Sequence, residues 1–319
     1  MNKLGPFVKL VRLPNLIMIL FVQYMVRFCF LYPIYKILGL QLHMNEGLFF
    51  LFSIAFLFMA AGGYVINDYW DVEIDKINKP DRMVIGHGYT LAEAFELYWI
   101  LSLMGVVIGF WSCYEMGLPS LGILFFIYMS GLWYYSTMFK YTRLLGNIII
   151  SIFLALVPFT AALVEIFADV RGHYFASVHS VPSIISYGVI VISVFAFLAN
   201  FARELVKDAE DMEGDAKAGC KTVPIVFGIP ATKTMVTILL LCILAVLGYL
   251  IRFAMSADDA LAITYIVMAI VAPVFYIFTL LYAAADPKGY HRVSNWLKLL
   301  MVSGISYLFV FAYTLLHSL

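Results

Sequence analysis

The chain has 319 residues, 64% hydrophobic and 13% charged, with a mean hydropathy of +0.95. A soluble globular chain carries about 25% charged residues, so a soluble enzyme is excluded. Lys plus Arg and Asp plus Glu both number 20, and the formal net charge of zero leaves no global field to draw in nucleic acid.

In chain order, apolar runs bounded by charge or turn residues predict nine spanning helices, at about 20 apolar residues each. They run approximately from Leu13 to Tyr32, Gly47 to Asn67, Ala94 to Cys113, Leu118 to Tyr135, Leu144 to Phe167, Val181 to Ala202, Thr232 to Ile251, Ala260 to Ala283 and Trp296 to Leu316. The first run is too long for a signal-peptide core and is read as a span. This predicts an all-α membrane protein, residues 1–319 as one domain, with nine transmembrane helices bundled around a cavity open to the cytoplasmic side. Cys29, Cys113, Cys220 and Cys242 show no paired spacing, so neither a disulfide framework nor a zinc site is expected. Arg27 is expected at the outer interface, its long stem letting the charge reach water.

The loops assign an orientation. Sixteen of the 20 basic residues fall at the N-terminus and in alternate loops (Lys3 to Arg12, Lys76 to Arg82, Lys140 and Arg143, Arg203 to Lys233, Lys288 to Lys298). Only Arg27, Lys36, Arg171 and Arg252 lie on the other side. The basic excess predicts a cytoplasmic N-terminus, and nine spans put the C-terminus outside the cytoplasmic (inner) membrane.

Eleven of the 20 acidic residues sit in two short stretches on that cytoplasmic side. Asp68, Asp71 and Asp75 follow the second span and Asp208, Asp211 and Asp215 the sixth, both as D-x-x-D-x-x-x-D and offset by a constant 140 residues. The pattern predicts two internally similar units, about 47–82 and 181–228. On a continuous helix the three aspartates of each unit share one face, where like charges repel unless a cation joins them. Hard Mg²⁺, held by one or two carboxylates plus phosphate oxygens, fits that need. Lys76, Lys79, Arg82, Lys207, Lys217 and Lys221 lie close by, to hold outer diphosphate oxygens.

At these residues the sequence resembles the UbiA superfamily of intramembrane prenyltransferases. The first motif appears as NDYWDVEIDKINKPDR from Asn67 to Arg82, the second within RELVKDAEDMEGDAKAGCKTVPIVFG from Arg203 to Gly228. The resemblance covers the whole chain. It implies Mg²⁺-dependent transfer of an isoprenoid chain from a prenyl diphosphate to a lipophilic acceptor within the bilayer, with no obligate protein partner. By carry-over, Asn67, Asp68, Asp71 and Asp75 bind one Mg²⁺–diphosphate face and Asp208, Asp211 and Asp215 the other. The family's Y-x-x-x-K element departs by one residue here, since Ser136 stands four before Lys140; Tyr135 is the nearest equivalent. Lys140 is then a diphosphate ligand, and Asn147, costly facing lipid, is expected at the cavity. RLPN, from Arg12 to Asn15, is similar to the family's entry to the first helix, although Arg12 equally suits a topology-setting charge.

E-D-x-E-G-D with the following K-T-V-P-I looks most like the lipid-making digeranylgeranylglyceryl phosphate synthase branch. This implies transfer of a geranylgeranyl group to geranylgeranylglyceryl phosphate. A quinone precursor (dihydroxynaphthoate or 4-hydroxybenzoate) and a porphyrin are the alternative acceptors. A divalent-cation transporter is the alternative from another class, but it predicts carboxylates near the bilayer midplane, whereas both triplets fall at helix ends. A phosphotransferase acting on nucleotide-activated alcohols is the third reading, and it calls for a single acidic cluster. For the base, His87, just behind the first motif, is the one histidine to test, and an aspartate of the second motif not fully committed to metal is the alternative.

Overall fold

The computed structural model describes residues 3–78, 80–171 and 180–317. A short helix α1 (Leu4–Leu10) leads into α2 (Leu13–Ile37), then α3 (Glu46–Trp70), the short α4 (Val72–Asn78), α5 (Leu91–Glu115), α6 (Ile123–Thr137) and α7 (Leu145–Arg171). The second half holds α8 (Ser180–Glu210), the short α9 (Met212–Lys217), α10 (Val223–Ser256), α11 (Ala260–Ala283) and α12 (Pro287–His317). Among the described residues, eight of these helices are long and apolar enough to cross a membrane: α2, α3, α5, α7, α8, α10, α11 and α12. The predicted span at Leu118 to Tyr135 is α6, only 15 residues long and preceded by a 3-10 turn at Pro119–Gly122.

Several helices outrun their predicted ends. Hydropathy marks only the apolar part of a helix, so α12 begins nine residues before its apolar run, whereas the nine extra residues of α10 are apolar and lie around the Gly228–Pro230 kink. Local chemistry fixes other starts. Thr90 and Glu93 form a reciprocal capping box at the head of α5, and Asn45 accepts from the Leu48 amide at the head of α3. Inside α10 the backbone leaves the helix at Gly228, at φ 80° and ψ 167°, a conformation open to glycine and followed by Pro230.

Helices α3 and α5 pack closely because small residues face each other. A Cβ added at Gly62 would lie 2.5 Å from Ser102 Oγ, and one at Gly105 2.6 Å from Met59 Sδ. In the second half α8 packs on α7, α10 and α12.

Arg27 departs from the expectation of an interfacial side chain. It is 1% exposed, with Nη1 3.4 Å from Glu165 Oε1 and Nη2 donating to the Met44 carbonyl and to Glu46. Glu165, also 1% exposed, accepts from the His43 and Met44 amides. A carboxylate on α7 with this many donors holds the guanidinium inside the protein instead of releasing it to water.

Candidate active site

Each aspartate motif straddles a helix break. Helix α3 ends at Trp70, Asp71 takes φ −91° and ψ 0°, and α4 begins at Val72. Helix α8 ends at Glu210, Asp211 takes φ −93° and ψ 5°, and α9 begins at Met212. Both values lie in the bridge region where regular helix gives out. The continuous helical face predicted for each triplet is therefore corrected: the first two aspartates end a long helix and the third rides on a short one. Backbone bonding still crosses each break, from Asp75 N to Asp71 O at 2.8 Å and from Asp215 N to Asp211 O at 3.2 Å.

The two short helices are tied together. Asn78 Oδ1 accepts from the Gly214 amide at 2.9 Å, and Asn78 Nδ2 donates to Asp215 Oδ1 at 3.4 Å. A Cβ at 214 would lie 2.2 Å from Asn78 Oδ1, so any side chain there must displace Asn78.

All six motif aspartates line one cavity of about 1860 Å³, together with Asn67, Lys140, Asn147, Tyr135, Lys207, Arg12 and Asn15. Lys140 Nζ lies 2.6 Å from Asp71 Oδ1, and Asn67 Nδ2 donates to Asp71 Oδ2 at 2.8 Å. Asn147 Nδ2 donates to Asp208 Oδ2 at 2.7 Å. Arg12, in left-handed backbone at φ 52° and ψ 55° between α1 and α2, reaches Asp68 Oδ1 at 2.6 Å. A non-glycine residue held there costs on the order of 1–2 kcal/mol, so the surroundings fix it. Burial works against its charge, and the adjacent Asp68 outweighs this, raising the guanidinium pKa above its ordinary value.

Some predicted residues lie elsewhere, and Lys76 and Lys217 pair with Glu73 and Glu213 outside the cavity lining. Lys221 is exposed beside a separate shallow groove with Tyr141 to Leu145. His87 is exposed and does not line the cavity. Lys79 and the side chain of Arg82 fall outside the described residues.

Four further residues join the site. Lys298 on α12 donates to Asn15 Oδ1 at 2.9 Å; Glu204 pairs with both Arg203 and Lys207, at 3.2 and 3.0 Å; and all four of Lys298, Arg203, Glu204 and Asn200 line the cavity. Arg203 and Glu204 stand one helical turn before Asp208, a spacing visible in the sequence; Lys298 carried no local signal. Near the motifs, burial followed by the charge of Asp71 pushes the Tyr141 phenol up to about 12. Burial followed by Asp215 and Asp71 pushes the Cys220 thiol up to about 11. Both groups are neutral at neutral pH and add no negative charge to the site.

The donor set suits a hard cation. Carboxylate oxygens from two motifs face one cavity, and among the described residues no three acidic, His or Cys side chains converge into a ready-made cage. That combination fits Mg²⁺, which commonly binds through one or two carboxylates and completes its shell with water and phosphate oxygens. Below the carboxylates the walls turn apolar, with Phe56, Met59, Leu132, Phe153, Phe195 and Met301, and the cavity continues to Ala257 and His317 at the opposite helix ends.

The chain is similar in sequence and fold to known proteins. A digeranylgeranylglyceryl phosphate synthase of Sulfurisphaera tokodaii is 37% identical over 106 residues, 33% of this chain and 36% of that one. The same enzyme of Ignicoccus hospitalis is 40% identical over 93 residues, 29% of each chain. Each match thus spans about a third of the relative's length. A solved digeranylgeranylglyceryl phosphate synthase superposes with a TM-score of 0.64 at 25% identity, covering 98% of this chain and all of the other. A UbiA homologue from Archaeoglobus fulgidus, solved with DMAPP and Mg²⁺, shares the fold with a TM-score of 0.58 at 15% identity, covering 98% of this chain and 99% of the other. The sequence profile of the UbiA prenyltransferase family matches residues 37–302, which include both aspartate motifs and every helix from α3 to α11, and the chain belongs to that family.

Proposed function

We propose that this protein transfers a polyprenyl group, geranylgeranyl by preference, from its diphosphate to geranylgeranylglyceryl phosphate. One observation carries the reading: two facing sets of aspartates, with Lys140 and Asn147 beside them, cap a cavity whose remaining walls are largely apolar. The polar end suits a diphosphate and the apolar length an isoprenoid chain. The acceptor rests on the synthase relatives and on the second-motif sequence.

Asp71, Asp75, Asp208, Asp211 and Asp215 would hold Mg²⁺, with Asp68 contributing while its Oδ1 stays with Arg12; the bound ion neutralises negative charge on the diphosphate. Asn67 fixes the Asp71 carboxylate in place, so little reorganisation remains when substrate arrives. Lys140 exchanges Asp71 for diphosphate oxygens. Arg12, held in its backbone conformation by the α1–α2 junction, orients Asp68. The apolar walls exclude water from the allylic carbon as positive charge develops there, which favours the acceptor over hydrolysis. The membrane arrangement is nine spans, counting α6, in the cytoplasmic membrane, with the motifs and N-terminus cytoplasmic and the C-terminus outside. The two motif units, about 47–82 and 181–228, are internally similar parts of one domain.

The test supplies the purified protein in detergent with Mg²⁺, labelled geranylgeranyl diphosphate and separate acceptors. Expected is a prenylated product with geranylgeranylglyceryl phosphate. Product only with dihydroxynaphthoate, 4-hydroxybenzoate or a porphyrin would move the chain to another branch, and no product with any acceptor would overturn the activity.

A further inference from the structure

A short polar ladder descends from the aspartates into the cavity. Asn147 Nδ2 donates to Asp208 Oδ2, Ser151 Oγ donates to the Asn147 backbone carbonyl one turn on, and Asn200 Nδ2 donates to Ser151 Oγ at 3.2 Å. Asn147, Ser151 and Asn200 are 6%, 0% and 3% exposed. This network fixes which way each amide points. A carboxylate only accepts, so Asn147 must turn its nitrogen to Asp208. The Ser151 hydroxyl spends its one proton on the Asn147 carbonyl, so toward Asn200 it too only accepts, and Asn200 must turn its nitrogen to it.

Both amides are left presenting a carbonyl oxygen. Neither Oδ1 has a partner among the described residues, neither is among the fully sealed polar atoms, and both residues line the cavity. Two hydrogen-bond acceptors in a largely apolar wall are costly unless a donor meets them. Asn147 is held directly to Asp208, and Asn200 stands about two helical turns before Asp208 on α8, so both belong to the cavity wall that leads away from the motif aspartates.

We propose that Asn200, with Asn147, binds the nucleophilic hydroxyl of the acceptor by accepting its O–H hydrogen bond; this rests on the transferase reading above. The acceptor class is then an alcohol that keeps its proton until transfer. An ionised carboxylate has no proton to give and would face two carbonyl dipoles. In the transfer itself the hydroxyl oxygen forms a bond to C1, the bond from C1 to the diphosphate oxygen breaks with its electron pair going to the diphosphate, and the hydroxyl proton leaves with that diphosphate.

The experiment uses the full chain in detergent with geranylgeranylglyceryl phosphate and its deoxy analogue lacking the free hydroxyl. Binding is read from the ligand-dependent shift in unfolding temperature, which needs no turnover, so a protein that transfers to no acceptor leaves this readout intact. The unmodified protein is expected to bind the alcohol about tenfold more tightly than the deoxy analogue. Asn200→Leu is expected to bind both equally while the geranylgeranyl diphosphate concentration that half-saturates its unfolding-temperature shift stays within about twofold of the parent. Ser151→Ala, which lets the Asn200 amide rotate, is expected to lose part of the preference. Equal binding of the two ligands by the unmodified protein overturns the inference even where a variant fails to fold. So does a preference that survives Asn200→Leu, or a loss of donor affinity that matches the loss for acceptor.

Discussion

Asp71 and Asp211, 140 residues apart, interrupt their helices with backbone angles that agree within 5° in both φ and ψ. Each amide also donates to the carbonyl four residues earlier, Asp71 N to Asn67 O at 3.0 Å and Asp211 N to Lys207 O at 2.8 Å. The break puts the first two aspartates of each motif on the end of a long helix and the third on the short helix that follows. All three aspartates of each motif line the same cavity, as the proposed binding of a diphosphate with its cations requires.

Replacing either middle aspartate should therefore abolish transfer without unfolding the bundle. Asp71→Ala and Asp211→Ala are each expected to lose at least 100-fold in kcat/KM, with elution profile and unfolding temperature close to the parent. Turnover retained by both variants would sink the model of two cation-binding faces.

Lys140 predicts two effects of opposite sign. In the free protein it neutralises Asp71 at 2.6 Å, with both side chains largely buried. Lys140→Met removes a diphosphate ligand, so KM for the prenyl diphosphate should rise at least tenfold. The same change leaves Asp71 without its cation, so Mg²⁺ alone should bind more tightly, read as a Mg²⁺-dependent rise in unfolding temperature at lower concentration than in the parent. A lysine of purely structural importance would lower stability and leave both midpoints in place.

What the sequence disclosed and what it hid follow from the range of the forces involved. Spans were legible because burial in lipid acts on each run of residues separately, and the motifs because their spacing recurs. The breaks at Asp71 and Asp211 were not, since i, i+3 and i+7 spacing is what an unbroken helix also produces. Nor was the Asn78 clamp, which joins residues 136 positions apart through a backbone amide. Glu165 was within reach: an acid inside an apolar span demands a partner, and Arg27 lay toward the same membrane face. Reading Arg27 alone concealed the pair.

At Gly214 the space decides the outcome. A Cβ 2.2 Å from Asn78 Oδ1 must expel that side chain, removing the bond to the Gly214 amide and the contact with Asp215. Gly214→Ala is expected to cost about 1–3 kcal/mol of stability and at least tenfold in kcat/KM. Adding Asn78→Ala should return much of the stability by relieving the clash, yet little of the activity, because the tie between α4 and α9 stays cut. Full recovery of activity in the double variant would show that the tie does not position the third aspartates.

The Arg27–Glu165 pair lies at the end of the bundle away from the aspartates, and its prediction separates stability from catalysis. Both side chains are 2% exposed, so solvent screens their interaction little. Glu165→Ala leaves the guanidinium with the Met44 carbonyl and Glu46 and strips the His43 and Met44 amides of their acceptor. Breaking a buried pair in this way costs about 3–5 kcal/mol. Removing both charges avoids a buried guanidinium whose one remaining charged partner is the exposed Glu46, so Arg27→Leu with Glu165→Leu should be more stable than Glu165→Ala alone, although the two amides remain unsatisfied in either case. Thermal unfolding in detergent orders the three proteins: parent highest, double variant intermediate, Glu165→Ala lowest. Prenyl transfer assayed well below each transition should stay within about threefold of the parent, since no atom of the pair reaches the aspartates. A double variant less stable than Glu165→Ala would mean that attraction in the pair exceeds its desolvation cost, and a selective loss of transfer at unchanged stability would mean that this end of the bundle governs the site.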